Sequence, residues 1–247
     1  MTKAEIRLVR ALADKRGREE HGLFVAEGAK LVAELRASHL RVQRIFAREG
    51  LFAGPEVETV TPQEMERLSL LKTPSDALAL VEIPRRRLDP AALAGRLTLA
   101  LDDVQNPGNM GTIIRLADWF GITDIVCSES TADCFNPKVV QATMGAILRV
   151  RVHYTDLARL LAEAPALGLP VYGTFLEGDD LYDAPLTAAG IVVMGNEGRG
   201  VTPAVARTVT RKLFIPPYPA DRRGSESLNV AMAAGIVCAE FRRRTGR

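Results

Sequence analysis

The chain has 247 residues, of which 47% are hydrophobic and 25% are charged, so it can form one large globular domain or two small ones. It contains no uncharged apolar run of membrane-spanning length, and its N-terminal segment MTKAEIRLVRALADKRGREE is too polar for a signal peptide. We therefore expect a cytoplasmic protein that has no membrane partner. The net charge of +2 does not by itself indicate an acidic macromolecule as a partner.

Cysteine and histidine are sparse, and their spacing predicts no metal site. The cysteines lack CxxC spacing and are odd in number, which disfavours a disulfide framework and a structural zinc ion. The histidines are scattered singly and no Ser/His/Asp order stands out, so hydrolases and metalloenzymes are only weakly indicated. The residues concerned are Cys127, Cys134, Cys238, His21, His39 and His153.

Basic residues are distributed unevenly along the chain. Clusters of this kind can neutralise phosphates, although each cluster alone is equally typical of a solvated protein face. The clusters are Lys15, Arg16 and Arg18; Arg85 to Arg87; Arg222 and Arg223; and Arg242 to Arg244.

Residues 1–83 predict a small α/β domain. The predicted elements are helices over residues 3–14 and 26–37 and strands over Val42–Ala47 and Ala77–Glu82. Thr61 followed by Pro62 is typical of a capped helix start. The proline- and arginine-rich residues 84–95 then indicate a linker to a second domain.

From residue 96 to 247, fully apolar strands alternate with helices, which predicts an α/β domain with a mainly parallel sheet covered on both faces. The predicted strands are Leu97–Leu101, Ile125–Cys127, Val150–His153, Val171–Phe175, Ile191–Met194 and Leu213–Ile215. The predicted helices are Pro107–Phe120, a helix capped by Asn136 that ends near Leu148, and a final helix from about Leu228 to Arg243.

Three polar, glycine- or asparagine-containing segments follow strands of this domain, where parallel sheets bind their ligands. The first, NPGNMGTIIR over residues 106–115, opens a helix that offers free amides and also carries Asn109 and Arg115. A capped helix with a surface arginine would have the same pattern.

The second segment is MGNEGRG over residues 194–200, which matches neither the Walker nor the dinucleotide-binding glycine pattern. Its glycines permit close approach of a backbone to a ligand, but a flexible turn would look alike. The third segment runs from Ile215-Pro216 to ESLNVA over residues 226–231, where we expect Ser227 or Ser225 to cap the last helix.

Together, in this order, the three segments resemble the motifs of the SPOUT superfamily, specifically its TrmH/SpoU branch of RNA 2′-O-methyltransferases. The resemblance covers roughly residues 96–243. Residues 1 to about 83, which include FVAEG at residues 24–28, resemble more loosely the L30e-like substrate-binding domain that often precedes the catalytic domain.

The resemblance implies a deep C-terminal trefoil knot, S-adenosylmethionine as the cofactor, a homodimer and transfer of a methyl group to a ribose 2′-hydroxyl of structured RNA, ribosomal RNA more than transfer RNA. It implies cofactor contacts, largely through backbone groups, at Gly195, Asn196, Gly200, Ile215 and Leu228. It also implies active-site roles for Arg115, Asn109, Glu197, Ser227 and Asn229. The stretch between Ile215 and Ser227 is longer than the family pattern, which leaves the alignment of residues 217–225 open.

Three other interpretations stay open at this point. The chain could methylate an RNA base, as other branches of the superfamily do, or it could be a non-catalytic RNA-binding scaffold. A nucleotide-binding oxidoreductase is weakly indicated, because the phosphate-binding fingerprint is missing after the first strand of the second domain.

Overall fold

The computed structural model describes residues 1–219 and 226–244. The α-helices and β-strands of these residues, in chain order, are α1 (Lys3–Ala11), α2 (Lys15–His21), β1 (Leu23–Glu27), α3 (Ala29–Ala37), β2 (Val42–Ala47), β3 (Val57–Thr59), α4 (Pro62–Leu68), β4 (Ala77–Glu82), β5 (Leu97–Leu101), α5 (Pro107–Trp119), β6 (Asp124–Cys127), α6 (Pro137–Thr143), β7 (Arg151–Tyr154), α7 (Leu157–Glu163), β8 (Val171–Asp180), β9 (Gly190–Met194), α8 (Pro203–Ala206), β10 (Arg211–Phe214) and α9 (Val230–Arg244). Among these helices, none has the length and apolar character needed to cross a membrane.

The chain divides into two compact units. The first consists of residues 1–85 together with 133–148, and the second consists of residues 86–132 together with 149–247. The sequence-based boundaries differ from this division, because they assign residues 133–148 to the second domain. They also treat residues 84–95 as a linker, whereas the 3₁₀ turn Pro90–Leu93 buries Leu93 in the core of the second unit.

The first unit is built on a four-stranded sheet in the order β1-β4-β2-β3. Its core consists of apolar side chains from α1, α4 and the sheet: Val9, Leu12, Val25, Phe46, Leu68 and Leu78 are among its buried members. Thr61 caps α4 in a capping box with Glu64, as predicted. The predicted helix over 26–37 is shorter than expected, because residues 23–27 form the fully buried strand β1 and α3 begins at Ala29.

The segment 133–148 belongs to the first unit because its side chains are buried there. Its helix α6 packs against β1, and the rings of Phe135 and Phe24 lie 4.8 Å apart. Arg18, which is only 2% exposed, donates to Asp133 Oδ2 at 2.6 and 2.8 Å and to the carbonyl of Leu12 at 2.8 Å. The helix predicted to reach Leu148 ends at Thr143, since Met144 and Gly145 have positive φ and a 3₁₀ turn follows.

The second unit contains a six-stranded, all-parallel sheet in the order β10-β8-β9-β5-β6-β7. Helices cover both faces: Val171 lies in the core cluster formed with α7 and α8, whereas the next residue, Tyr172, packs edge-on against Phe241 of α9 at 5.0 Å. The parallel α/β sheet is as the sequence predicts. The trefoil knot remains a prediction.

An ion pair joins the amino ends of β6 and the edge strand β7. Asp124, which begins β6, accepts from Arg151 Nε at 2.7 Å and lies 3.0 Å from the buried His153 Nε2. Burial raises the pKa of Asp124, but hydrogen bonds from Arg151, His153 and Thr123 outweigh it and lower the pKa to about 2. The carboxylate is therefore ionised at neutral pH and ties β6 to β7.

Helices α5 and α9 run parallel to each other. Asn229, just before α9, lies beside Asn109 in the first turn of α5, and Arg242 in the last turn of α9 donates to the carbonyl of Phe120 at 2.7 Å. Gly121, with φ of 65°, ends α5 as predicted. The two helices thereby begin at the same end of the unit, and this places two of the three polar segments next to each other.

Candidate active site at the carboxyl ends of the parallel strands

The three polar segments leave the sheet at its carboxyl edge. Strands β10, β8, β9 and β5 are consecutive neighbours and all run in the same direction, so the loops that follow β5, β9 and β10 emerge at one edge. The third segment continues through residues 220–225, which lie outside the described residues, to Asn229 at the start of α9.

The first loop shapes the start of α5 through its own side chains. Asn106 is the N-cap, and its Oδ1 accepts from the amides of Gly108 at 2.8 Å and Asn109 at 3.1 Å. Pro107 stands at the first helical position, where its missing N–H costs nothing. Because Asn106 does the capping, the side chain of Asn109 is free to make other contacts.

The second segment forms a closed turn after β9. Asn196 and Gly200 exchange two backbone hydrogen bonds of 2.9 Å, and Asn196 Oδ1 accepts from the amides of Gly198 and Arg199. A Cβ on Gly195 would lie only 2.4 Å from the backbone carbon of Gly200. Gly195 is therefore required for the turn to cross over itself.

The third segment differs from the sequence-based expectation at its helix cap. α9 begins at Val230, and Asn229 Oδ1 accepts from the amides of Ala231 at 3.0 Å and Met232 at 3.3 Å. Asn229 is thus the cap in place of Ser227. It immediately precedes the first helical residue, so its carboxamide reaches the free amides of the first turn, whereas Ser227 lies two residues earlier. Ser225, the other expected cap, lies outside the described residues.

A chain of hydrogen bonds joins the three segments. Asn229 Nδ2 donates to Asn109 Oδ1 at 3.0 Å, and Asn109 Nδ2 donates to Glu197 Oε1 at 2.8 Å. An ionised carboxylate only accepts, so Glu197 determines which end of the Asn109 amide faces it and which end faces Asn229. The Asn109 side chain is thus held in one orientation by Glu197, which is 88 residues away in sequence, and by Asn229, which is 120 residues away.

The other predicted site residues lie around this chain without joining it. Arg115 is on the exposed face of α5, and within the described ranges it makes no hydrogen bond or ion pair. Ser227 and Leu228 are exposed immediately before the cap of α9, and Ile215 is half-buried just after β10. Arg115 is therefore available to a ligand.

Two buried aspartates at the end of β5 were missed by the sequence analysis. Asp102 Oδ2 accepts from the amide of Thr202 at 2.7 Å, and Asp103 contacts Asn196 and Arg199. Both carboxylates therefore hold the loop that follows β9. The available signal was a pair of consecutive acidic residues directly after a fully apolar strand, where an unpaired charge is unfavourable.

Several arginines of the basic clusters that could neutralise phosphates are instead bound within the protein. Arg18 is buried against Asp133, and Arg242 binds carbonyls at the end of α5, so both are structural. Arg243 and Arg244 pair with Glu240 and lower its pKa to about 2 despite its burial. Arg222 and Arg223 lie outside the described residues. Within residues 1–219 and 226–244, no group of His, Cys, Asp and Glu side chains is arranged to hold a metal ion.

The parallel sheet, with polar loops joined at its carboxyl edge, is the architecture of an α/β protein that binds its ligand at that edge. The chain belongs to the SpoU rRNA Methylase family, whose match covers residues 96–239. Residues 3–79 match the MRM3-like substrate binding domain. This agrees with the resemblance read from the three motifs and from the N-terminal segment.

Individual relatives are similar over nearly the whole chain. A 23S rRNA (guanosine(2553)-2′-O)-methyltransferase of Bacillus subtilis is 32% identical over 94% of this chain and 93% of its own. A structure described as a putative RNA methyltransferase of the TrmH family from Porphyromonas gingivalis is 38% identical, with a TM-score of 0.90 over 99% of both chains. An AdoMet-bound rRNA methyltransferase from Sinorhizobium meliloti is 29% identical, with a TM-score of 0.84 over 98% of this chain and 95% of its own.

Proposed function

We propose that the protein transfers a methyl group from S-adenosylmethionine to a ribose 2′-hydroxyl of ribosomal RNA, in the cytoplasm. The observation that carries this proposal is the hydrogen-bonded chain from Glu197 through Asn109 to Asn229. It joins the three family motifs at the carboxyl edge of the sheet, where parallel α/β folds bind their ligands. The rRNA 2′-O-methyltransferase from Bacillus subtilis, similar over nearly its full length, supports the choice of reaction and substrate.

The residues after β9 and β10 fit S-adenosylmethionine. The turn over residues 195–200 contains Gly195, Gly198 and Gly200. Gly198 and Gly200 are exposed, and the absence of side chains there lets an adenosine approach the backbone of the turn closely. Ile215 is half-buried and Leu228 is exposed, so both have apolar surface to offer a nucleobase. We assign cofactor binding to Gly195, Asn196, Gly200, Ile215 and Leu228.

When bound, the sulfonium supplies an activated methyl group, and the protein's task is mainly to align it with the hydroxyl. A guanidinium group does not give up its proton in proteins, so an arginine is unsuited as the base. The free, exposed guanidinium of Arg115 is suited to grip the phosphate next to the target ribose and to stabilise the forming alkoxide. Asn109, Glu197, Ser227 and Asn229 form the polar surface around that position.

The proposal is tested by incubating the protein with labelled S-adenosylmethionine and ribosomal RNA that lacks modifications, followed by nucleoside analysis. Label in a 2′-O-methyl nucleoside is the expected result. Label in a base would identify a base methyltransferase, and labelling of transfer RNA alone would refute the choice of substrate. Calorimetry with the cofactor alone adds an independent test, because a non-catalytic scaffold has no need to bind it.

Replacing Arg115 with Ala should lower kcat by at least about a hundredfold, because a charge-assisted contact to the transition state is lost. Affinity for S-adenosylmethionine should stay within about threefold of the wild-type value, since the proposed partner of the Arg115 guanidinium is RNA and not the cofactor. Arg159, which lies on α7 and is also exposed, provides a matched control: its replacement should leave both quantities unchanged. Near-normal turnover of the Arg115 variant would contradict the assignment.

We further propose that residues 1–83 bind the RNA substrate and that residues 96–247 carry out catalysis. The match of residues 3–79 to a substrate binding domain supports this division. Lys30 in the first turn of α3 and Lys72 are both exposed. Glu27, three residues before Lys30, is buried, and its carboxylate accepts from the Ser69 hydroxyl and the Leu70 amide, just before Lys72. RNA affinity should therefore decrease steeply as salt rises.

We also propose that the active form is a homodimer. Trp119 at the end of α5 is 83% exposed and Met232 in the first turn of α9 is 63% exposed, and large apolar side chains are unusual on the surface of a monomer. Light scattering should give twice the mass of the chain, and Trp119→Arg should shift the protein toward monomer by burying an unpaired charge. A monomeric wild-type protein would refute the dimer without affecting the proposed reaction.

A further inference from the structure

Asp103, the second residue after β5, adopts a backbone conformation that is uncommon for its type. Its φ is 60°, in the left-handed region that favours glycine, and its side chain is only 8% exposed. Its amide donates to Ser128 Oγ at 2.9 Å. Such a conformation persists where surrounding contacts demand it, and it often marks a functional site.

Apart from the bond of its amide to Ser128, the hydrogen bonds of Asp103 are made to the loop over residues 195–200 or to Gln105 in its own segment. Its carbonyl accepts from Asn196 Nδ2 at 2.8 Å, and its Oδ2 lies 3.3 Å from the same nitrogen. Oδ2 also accepts from Arg199 Nη2, and Oδ1 accepts from Gln105 Nε2 at 2.9 Å. The backbone carbonyl and the carboxylate of Asp103 thus both contact the side-chain amide nitrogen of Asn196.

Asn196 transmits this contact to the turn. With its Nδ2 held by Asp103, its Oδ1 faces the amides of Gly198 and Arg199 and accepts from them at 2.9 and 3.0 Å. Rotation of the carboxamide would replace this acceptor by a donor, and two turn amides would lose their partner. The conformation of residues 196–200 therefore depends on a side chain from the preceding motif.

Arg199 closes the other side of the turn. It is 72% exposed, and its guanidinium nevertheless turns back to the buried carboxylate of Asp103. The pair compensates the buried charge of Asp103. Arg199 is thereby occupied within the protein, in contrast to Arg115.

We propose that Asp103 is a positioning residue that holds the turn at residues 196–200 in the conformation that binds S-adenosylmethionine. The inference rests on the proposed function, because it takes that turn to be part of the cofactor site. Asp103 acts through Asn196 and Arg199 and sets cofactor affinity by reducing the cost of ordering the turn on binding.

The test compares Asp103→Gly, Arg199→Ala and Gln105→Ala by calorimetric titration with S-adenosylmethionine and by steady-state kinetics. Glycine tolerates the positive φ and removes only the side chain, so the variant isolates the carboxylate. Gln105→Ala is the matched control, since Gln105 is exposed and donates to Oδ1 of the same carboxylate, whereas Asn196 and Arg199 contact Oδ2.

Asp103→Gly and Arg199→Ala should each weaken cofactor binding about tenfold, which is typical for loss of a charge-assisted hydrogen bond. KM for the cofactor should rise in parallel, kcat at saturating cofactor should stay within about twofold, and the double variant should be no worse than Asp103→Gly. Gln105→Ala should change the Kd by less than about twofold.

If wild-type protein binds S-adenosylmethionine and both Asp103→Gly and Arg199→Ala bind it with unchanged affinity, the positioning role is overturned and the proposed function stays intact. An equal loss of RNA affinity in Arg199→Ala would overturn it as well, because Arg199 would then be a phosphate ligand. Wild-type protein that binds no cofactor would instead refute the proposed function. If Asp103→Gly does not fold, the exposed Arg199→Ala decides the question alone.

Discussion

Asn229 performs two tasks with the two ends of one carboxamide. Its oxygen caps α9 and its nitrogen donates to Asn109, which in turn donates to Glu197. An N-cap needs only an acceptor, so a serine or an aspartate would cap the helix equally well. The asparagine is required because the neighbouring Asn109 presents its oxygen.

Asn229→Asp separates these two tasks. Aspartate keeps the cap, and its charge is favourable at a helix N-terminus, so the free energy of unfolding should stay within about 0.5 kcal/mol of the wild type. The donor to Asn109 is lost and two oxygens face each other, so we expect kcat/KM to decrease about tenfold or more. Urea denaturation and methyl-transfer assays measure the two effects.

Asn229→Ala is the comparison variant, because it removes the cap as well as the donor. It should lose about 1 kcal/mol of stability in addition to activity. An Asn229→Asp protein with normal activity would show that the hydrogen-bonded chain does not matter for catalysis.

Gly195 in the turn after β9 and Gly235 in the middle of α9 differ in the space around their Cα atoms, a difference that the sequence does not show. Gly195 has no room for a side chain, because a Cβ would lie 2.4 Å from backbone atoms of Gly200 and Val201. Gly235, in the middle of α9, would bring a Cβ only to 3.6 Å from the methyl groups of Leu116, an ordinary contact. At Gly235 the packing of α9 against α5 therefore leaves space for a methyl group.

Gly235→Ala should therefore stabilise the protein by about 0.5–1 kcal/mol, since alanine loses less backbone entropy than glycine on entering a helix. Thermal and urea unfolding of the two proteins would measure the difference. Gly195→Ala, the same substitution in the turn, should abolish cofactor binding. A destabilised Gly235→Ala protein would indicate that another surface packs against α9 at this point.

Each of the two units is made of two separate stretches of sequence, so no single boundary residue divides the chain into them. Residues 133–148 leave the second unit after β6, pack α6 against β1 and return to the second unit before β7. Arg18 and Asp133, 115 residues apart, form the buried ion pair of this segment. The first unit is therefore completed by residues that lie within the part of the sequence that matches the SpoU rRNA Methylase family.

Arg18→Ala should destabilise the protein by about 3 kcal/mol, because it leaves the largely buried Asp133 and two carbonyls without their donor. Arg16 is its matched control: it lies on the same helix and is exposed, so its replacement should cost less than about 0.5 kcal/mol. Chemical denaturation measures both variants. Equal stability of the Arg18 variant would mean that segment 133–148 is held by apolar packing alone.

Local patterns in the sequence were sufficient to predict most elements of the second unit. The apolar runs of β5, β6 and β9, the cap at Asn106 and the stop at Gly121 depend on a few neighbouring residues, and they appear as predicted or within one residue. The same holds for Thr61 and α4. Propensity and capping act over one or two turns of chain, so one sequence is enough to detect them.

The sequence by itself determined the class of fold, the three motif segments and the residues that they contribute. Only the tertiary structure decided which of those residues meet, that Asp103 holds the turn, and that Arg18 is buried. The physical reason is that these outcomes depend on hydrogen bonds and ion pairs between residues about 90 to 120 positions apart. Such contacts arise from how strands are ordered in a sheet, and no local pattern records that order.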